Sequence, residues 1–136
     1  MMIVDTSALL AFFDRAEPAH SAVAAAIGAG HEILVLSTYV LGEVDYLVST
    51  RHGVSAELAV LDELTGGAWE LACLDPNEIR AARDLIARYA GQRIGLADAS
   101  IVVLAQRFGT RIVVTLDRRH FDLLRTSTGD VLTIVP

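Results

Sequence analysis

Two short apolar runs in this chain each end on an aspartate just before a helix-like segment. The run 2–4 leads into Asp5, and the β-branched run 112–116 leads into Asp117. Strands that alternate with helices predict an α/β fold. Because ligands bind open α/β sheets outside the carboxyl ends of the strands, both aspartates are candidates for a functional site.

Hydrophobic periodicity and capping residues predict the remaining elements. The predicted strands are 2–4, 32–36, 69–74, 112–116 and 131–135. The predicted helices are 8–13, 18–27, 38–50, 55–64, 76–89 and 96–108. The length of 136 residues, with no repeat or low-complexity linker, predicts one domain spanning residues 1–136.

The apolar content exceeds that of an ordinary globular domain. Hydrophobic residues make up 53% of the chain, against about 45–50% in typical domains, so we expect another protein chain to cover part of the surface. No apolar run approaches the roughly 20 residues of a membrane span, and the N-terminus lacks the basic start of a signal peptide. We therefore expect a cytoplasmic protein. The lone Cys73, in an apolar run, is predicted to be a buried structural thiol.

The charged residues exclude several functions. The net charge is −6 and all eleven basic residues are arginine. Without lysine the chain has neither a P-loop nor a Schiff-base amine. The pair Gly28 and Gly30 follows a helical segment rather than a strand, which predicts a helix C-cap and not a dinucleotide loop.

Two further acids lie on predicted helices. Glu43 belongs to the helix 38–50, which is apolar nearly all round and is predicted to be buried, and Glu43 shares a face with Tyr39 and Tyr46. Asp98 occupies the first turn of the helix 96–108 between small residues. Each of the four acids also has an ordinary interpretation, as a cap, a partner of the helix dipole or a partner of an arginine.

Convergence of the four acids would require a counter-ion. Close carboxylates repel by about 4 kcal/mol per pair at an effective dielectric of 20, and a divalent cation removes that conflict. Oxygen-only ligands favour Mg²⁺ or Mn²⁺ over zinc. The four histidines, at positions 20, 31, 52 and 120, show no metal-ligand spacing, and only His120 lies near one of the four candidate acids in sequence.

Hydroxyl side chains accompany two of the acids. Ser7 and Thr115 lie next to Asp5 and Asp117 in sequence, where they could orient a carboxylate, a water or a phosphate oxygen. Ordinary capping is the alternative interpretation of both hydroxyls.

The order of these motifs resembles the PIN-domain ribonucleases, and more closely the VapC-type toxins of mycobacterial toxin–antitoxin systems. The resemblance rests on Asp5-Thr6-Ser7 after the first strand, Glu43 in a mid-chain helix, Gly95-Leu96-Ala97-Asp98-Ala99, and Thr115-Leu116-Asp117 followed by Phe121. It implies a three-layer α/β/α fold with a central, mainly parallel sheet. It also implies homodimerisation, inhibition by a cognate VapB antitoxin and Mg²⁺- or Mn²⁺-dependent cleavage of structured RNA such as tRNA or rRNA. Such cleavage would inhibit translation and growth.

The resemblance also implies roles for individual residues. Asp5, Glu43, Asp98 and Asp117 would be the catalytic and metal-binding acids, with Thr6, Ser7 and Thr115 in support. Asp5, Asp98 and Asp117 are the first-choice ligands of a cation that activates the attacking water, and Glu43 is a ligand or a general base. Arg93, Arg118 and Arg119 are nearest the acids in sequence and could contact RNA phosphates. Their alternative interpretation is as solvated surface charges.

Two other functional classes fit the sequence less well. A phosphatase-like or receiver-like domain would need a second aspartate at position 7 or an active-site lysine, but the chain has Ser7 and no lysine. A non-catalytic PIN-like module that binds RNA or protein would be expected to have lost some of the acids, and all four are present.

Overall fold

The computed structural model describes residues 1–29 and 32–136. The strands are β1 (Met2–Val4), β2 (Leu34–Ser37), β3 (Trp69–Ala72), β4 (Ile112–Val114) and β5 (Thr133–Val135). The helices are α1 (Thr6–Phe13), α2 (His20–Gly28), α3 (Thr38–His52), α4 (Val54–Leu64), α5 (Pro76–Arg88), α6 (Leu96–Arg107) and α7 (Arg118–Phe121), with a 3₁₀ turn at Ala90–Gln92.

The five strands form one parallel sheet in the order β3-β2-β1-β4-β5. The chain first builds outward from β1 to β2 and β3, and then returns to the other side of β1 to add β4 and β5. The point where the direction reverses therefore lies between β1 and β4, which is where open α/β sheets bind ligands. The predicted three-layer α/β/α fold around a mainly parallel sheet is confirmed.

The central strands β1 and β2 are buried on both faces of the sheet. Every residue of β1 and β2 is buried, as expected where helices cover both faces of a parallel sheet. Helix α6 packs against β1, β2 and β4 as well as α3 and α5, and its residues 99–105 are all buried. This makes α6 a core helix whose position is fixed from several sides.

Capping residues begin two of the helices as the sequence indicates. The Ser37 hydroxyl accepts a hydrogen bond from the Tyr39 backbone at the start of α3. Asp75 and Glu78 form a reciprocal capping box at the start of α5, with Pro76 in the first turn. All predicted strands and helices are present with ends within two residues of those predicted, and α7 is an additional short helix.

The structure corrects two expectations about burial. Helix α3 is not buried all round, because only one stripe, Val40, Val44 and Val48, faces the core, while Tyr46 is 66% exposed. Cys73 is exposed and is not a buried thiol, because it follows β3, which is an edge strand with one side open. Gly30 and His31 lie outside the described residues.

No helix within residues 1–29 and 32–136 combines the length and the apolar character that crossing a membrane requires.

Candidate active site and metal centre

The pairing of β1 with β4 places Asp5 next to Thr115. Val4 pairs with Val114, and the Asp5 backbone N–H donates to the Val114 carbonyl at 2.9 Å. One step further along the ladder, the Thr115 hydroxyl donates to Asp5 Oδ2 at 2.7 Å. The sheet register therefore brings together two residues that are 110 positions apart in sequence.

Asp5 is held by two hydroxyl groups. Its side chain does not cap α1, and the residue is only 4% exposed. Ser7 Oγ donates to Asp5 Oδ2 at 2.9 Å, alongside Thr115. Because each hydroxyl carries a single proton, both protons are used on this carboxylate. The contact of 3.2 Å between the two hydroxyl oxygens is then proximity and not an additional hydrogen bond.

The same hydroxyls also fix the loop after β4. Ser7 Oγ accepts a hydrogen bond from the Leu116 backbone N–H at 3.0 Å, and Thr115 Oγ1 accepts one from the Asp117 N–H at 2.9 Å. The four bonds form a closed network that joins the ends of β1 and β4. The hydroxyl groups thus orient the Asp5 carboxylate and the segment that carries Asp117.

A buried pair of serines positions the start of α6. Ser37 Oγ at the end of β2 lies 2.6 Å from Ser100 Oγ on α6, and both residues are completely buried. Ser100 Oγ also donates to the Ala97 carbonyl at 2.6 Å. Because Asp98 lies between these two α6 residues, the serine pair holds it at the carboxyl edge of the sheet.

The pKa of Asp98 reflects the charges of the neighbouring acids. Its pKa is raised from 3.8 to about 6, mainly because burial removes the carboxylate from water and because Asp5 carries like charge. Asp117 raises the pKa further, while His120 and a hydrogen bond from the Gly95 backbone lower it. Asp5, Asp98 and Asp117 therefore lie within electrostatic reach of one another.

Asp117 and His120 form a close pair beside Asp98. Asp117 N-caps α7 by accepting a hydrogen bond from the His120 backbone. The imidazole Nδ1 lies 2.9 Å from Asp117 Oδ2 and 3.9 Å from Asp98 Oδ2. The spacing of the histidines in the sequence does not indicate that His120 belongs to the site. The sequence feature that does indicate it is its position three residues after Asp117, the aspartate that begins a helix.

Glu43 differs from the other three acids in its exposure and its bonding. It is exposed on α3, and no hydrogen bond or ion pair within the described residues connects it to Asp5, Asp98 or Asp117. Its role therefore remains a prediction from the sequence.

The three arginines differ in their surroundings. Arg118 is tied to the Pro136 carbonyl at 3.0 Å and lies 3.8 Å from Asp122. Arg93 is exposed at the end of the 3₁₀ turn, in the left-handed backbone region with φ of 53°. Arg119 is exposed and forms no ion pair with any other described residue. Arg93 and Arg119 are thus the more accessible guanidinium groups.

The donor atoms of the site suit a hard divalent cation. The acids contribute only carboxylate oxygens, which Mg²⁺ and Mn²⁺ prefer, and their mutual repulsion has no lysine to balance it. Next to Asp5, Thr6 Oγ1 is buried and finds no hydrogen-bond partner among the described residues. As they stand, no three His, Cys, Asp or Glu side chains of residues 1–29 and 32–136 are grouped closely enough to hold a metal ion. Binding a cation would therefore bring these carboxylates closer together.

A separate groove lies between helices α1, α3 and α4. This groove of about 210 Å³ has mainly apolar walls, which include Leu10, Phe13, Val48, Ala56 and Val60. None of the four acids lines this groove. It is thus a second surface feature, distinct from the acidic site.

The chain matches the model of a known protein family over most of its length. The family model of the PIN domain matches residues 2–125. The chain belongs to the PIN domain family.

Relatives of this PIN domain are VapC proteins. Ribonuclease VapC26 of Mycobacterium tuberculosis is 57% identical over 135 residues, which cover 99% of this chain and 100% of the relative. The predicted resemblance to VapC-type PIN proteins is confirmed.

Solved structures share the fold of this PIN domain at low sequence identity. The crystal structure of Mycobacterium tuberculosis VapC20, described as a sarcin–ricin loop cleaving toxin, has a TM-score of 0.79 at 18% identity, covering 87% of this chain and 91% of VapC20. DNA-bound VapBC from Salmonella typhimurium has a TM-score of 0.70 at 19% identity, covering 98% of this chain and 96% of that one. At this level of identity the likeness establishes the fold.

Proposed function

We propose that this PIN domain is the toxin of a type II toxin–antitoxin pair and acts as a divalent-cation-dependent endoribonuclease. The observation that carries the proposal is the full-length identity of 57% to Ribonuclease VapC26. The position of Asp5 and Asp117 at the switch point of the sheet, with Asp98 beside them, supports the same function.

Asp5, Asp98 and Asp117 would hold the cation, which we propose is Mg²⁺ or Mn²⁺. Such an ion supplies Lewis-acid charge neutralisation at the phosphate and increases the acidity of water. The raised pKa of Asp98, which comes from burial and the like charge of Asp5, reflects negative charge that a cation would stabilise. The chain would thus use binding energy from the ion to bring three repelling carboxylates together.

The reaction is the hydrolysis of an RNA phosphodiester bond. Water adds its oxygen to phosphorus, the bond from phosphorus to the leaving oxygen breaks, and that oxygen takes up a proton. Ser7 and Thr115 hold Asp5 in one orientation throughout, and positioning of this kind lowers the entropic part of the barrier. Glu43, which is exposed on α3, would act as a ligand or as a general base once RNA covers it.

Arginines would bind the RNA backbone. Arg119 is the first choice because it is exposed and unpaired within the described residues, and Arg93 is the second. Arg118 is already bound to Pro136 and has less freedom to reach a phosphate. We propose structured RNA, either tRNA or rRNA, as the substrate. VapC20, which shares this fold, is itself a sarcin–ricin loop cleaving toxin.

A cognate VapB-type antitoxin would neutralise the toxin, which we also propose to be a homodimer. Structures of similar fold include a toxin–antitoxin complex from Klebsiella pneumoniae and VapBC from Salmonella typhimurium. The apolar groove between α1, α3 and α4 offers the antitoxin a binding surface. The exposed Tyr46, Val54 and Leu58 on α3 and α4 extend the apolar area beyond it.

The test of catalysis is cleavage of total RNA with and without EDTA, followed by mapping of the cleaved ends. We expect Mg²⁺-dependent cleavage at few sites, which is abolished in Asp5→Asn and Asp98→Asn. Asp62→Asn on the exposed surface of α4 is the matched control and should retain full activity. Full activity of Asp98→Asn, or cleavage that persists in EDTA, would contradict the metal-dependent mechanism. RNA binding without cleavage would indicate a non-catalytic module.

The partner proposal has a separate test. We expect the purified chain to be a dimer by light scattering, and to form a stable, inactive complex with the small protein encoded beside it. Leu58→Asp, at a 55% exposed position of the apolar area that extends the groove, should weaken that complex without changing RNA cleavage by the free toxin. If dimerisation and not antitoxin binding is lost in Leu58→Asp, this apolar surface is the interface between two copies.

A further inference from the structure

His120 contacts both oxygens of the Asp117 carboxylate. Its backbone N–H donates to Asp117 Oδ1 at 3.2 Å, and its imidazole Nδ1 lies 2.9 Å from Oδ2. An ionised carboxylate can only accept hydrogen bonds, so Nδ1 must carry the proton in this contact. A single residue thus determines the orientation of the whole carboxylate group.

The position of His120 is itself fixed by the core. Its neighbour Phe121 is completely buried and its backbone N–H donates to the Asp117 carbonyl at 3.2 Å. The His120 side chain is 21% exposed, and that of Asp117 is 34% exposed. A partly exposed carboxylate that would otherwise rotate freely is therefore held by a helix anchored through an aromatic side chain.

The hydrogen bonds from His120 leave Asp117 able to bind a cation. Each carboxylate oxygen has two lone pairs, and His120 uses one on each oxygen. The imidazole also stands 3.9 Å from Asp98 Oδ2, which is beyond hydrogen-bond distance. Each oxygen of the Asp117 carboxylate therefore keeps a lone pair that no hydrogen bond within the described residues uses.

We infer that His120 is a positioning residue, which holds Asp117 in the orientation that binds the divalent cation. This inference rests on the proposed metal-dependent function. Groups that hold a ligating carboxylate or histidine in this way typically change metal affinity by about 10- to 100-fold. Because His120 already limits the rotation of the Asp117 carboxylate, Asp117 loses less conformational freedom when the ion binds.

The test compares His120→Ala with His120→Asn. The alanine variant removes the side-chain donor but keeps the backbone N–H, whereas the asparagine amide nitrogen can occupy roughly the place of Nδ1. Mn²⁺ affinity of the protein without RNA is measured by electron paramagnetic resonance, and kcat and KM are measured with an RNA substrate. We expect His120→Ala to weaken Mn²⁺ binding about 10- to 100-fold and to lower kcat with little change in KM. We expect His120→Asn to restore most of both.

The matched control is His20→Ala. His20 Nδ1 makes a hydrogen bond of 2.8 Å to the Ala11 carbonyl, and no hydrogen bond or ion pair within the described residues links it to Asp5, Asp98 or Asp117. Its loss should reduce the free energy of unfolding without changing Mn²⁺ affinity. A folded His120→Ala protein with wild-type Mn²⁺ affinity would overturn the inference, and so would a His120→Asn protein as defective as His120→Ala.

Asp98→Asn distinguishes this inference from the proposed function. If Asp98→Asn loses Mn²⁺ binding while His120→Ala retains it, only the role of His120 is wrong. If the wild-type protein binds no Mn²⁺, or Asp98→Asn binds it normally, the metal centre itself is wrong and the inference is overturned with it.

Discussion

Thr115 Oγ1 donates a hydrogen bond of 2.7 Å to Asp5 Oδ2 and thereby joins the ends of two adjacent parallel strands. Thr115 is 1% exposed and Asp5 is 4% exposed, so water cannot easily replace either partner. The same hydroxyl accepts from the Asp117 backbone. One threonine thus connects the two strand-end aspartates at the centre of the sheet.

Replacing Thr115 with valine should cost both stability and activity. The variant keeps the shape of the side chain but leaves the Asp117 N–H without its acceptor, and Asp5 Oδ2 keeps only the hydrogen bond from Ser7. Buried groups that lose a partner cost about 1–3 kcal/mol. Urea unfolding followed by the fluorescence of the single tryptophan, Trp69, measures the free energy of unfolding, and RNA cleavage measures the activity.

Thr133→Val on the exposed face of the edge strand β5 is the control for this substitution. It removes the same hydroxyl from a strand without breaking a buried network. Equal behaviour of Thr115→Val and Thr133→Val would show that the hydroxyl network is not needed.

Asp98 should make the metal-free protein less stable as the pH rises. The pKa of Asp98 is about 6 in the folded protein against its usual 3.8, so the folded state binds this proton more tightly than the unfolded state. Stability falls as the pH rises from 3.8 toward 6 and is then lower by about 3 kcal/mol. In EDTA, Asp98→Asn should be more stable than the wild type at pH 8, with a much smaller difference at pH 4. An equal stability difference between Asp98→Asn and the wild type at both pH values would contradict the raised pKa of Asp98.

Mutation of Glu43 decides whether it belongs to the site. Because Glu43 is exposed and unpaired within the described residues, Glu43→Gln should change the free energy of unfolding by less than about 0.5 kcal/mol. As a general base it would contribute about 100-fold or more to kcat, so we expect a loss of that size. Glu70→Gln on the exposed side of β3 is the control. Unchanged kcat in Glu43→Gln would remove Glu43 from the catalytic group.

The capping box of α5 should contribute to stability alone. Asp75 accepts from the Glu78 backbone at 2.8 Å, and Glu78 accepts from the Asp75 backbone at 3.1 Å. Asp75→Ala should therefore destabilise the fold by about 1 kcal/mol and leave kcat unchanged. Asp84→Ala, whose side chain is 61% exposed and pairs only with Arg83 among the described residues, should have almost no effect. Denaturant midpoints of the two variants compare these values directly.

The sequence predicts most of the fold because its signals are local. Short β-branched runs and the capping residue Ser37 act within a few neighbouring residues, and the elements lie where they were predicted. The placement of two aspartates after β1 and β4 was also predictable, since parallel strands bring their carboxyl ends to one edge.

Other features depend on which strands become neighbours, and local patterns do not contain that information. Cys73 is exposed because β3 is at the edge of the sheet, although its apolar neighbours indicate burial. Half of α3 faces solvent although its composition indicates a core helix. The pairs Ser37 with Ser100 and Asp117 with His120 similarly depend on tertiary contacts and on side-chain orientation.

The order of the strands also limits when the proposed toxin can be active. Asp5 leaves the ribosome 110 residues before Thr115, the residue that holds its carboxylate. Until β4 has been translated and has paired with β1, the nascent chain contains neither the oriented Asp5 nor Asp117. A chain that has been synthesised only to a point before β4 therefore lacks the assembled acidic site.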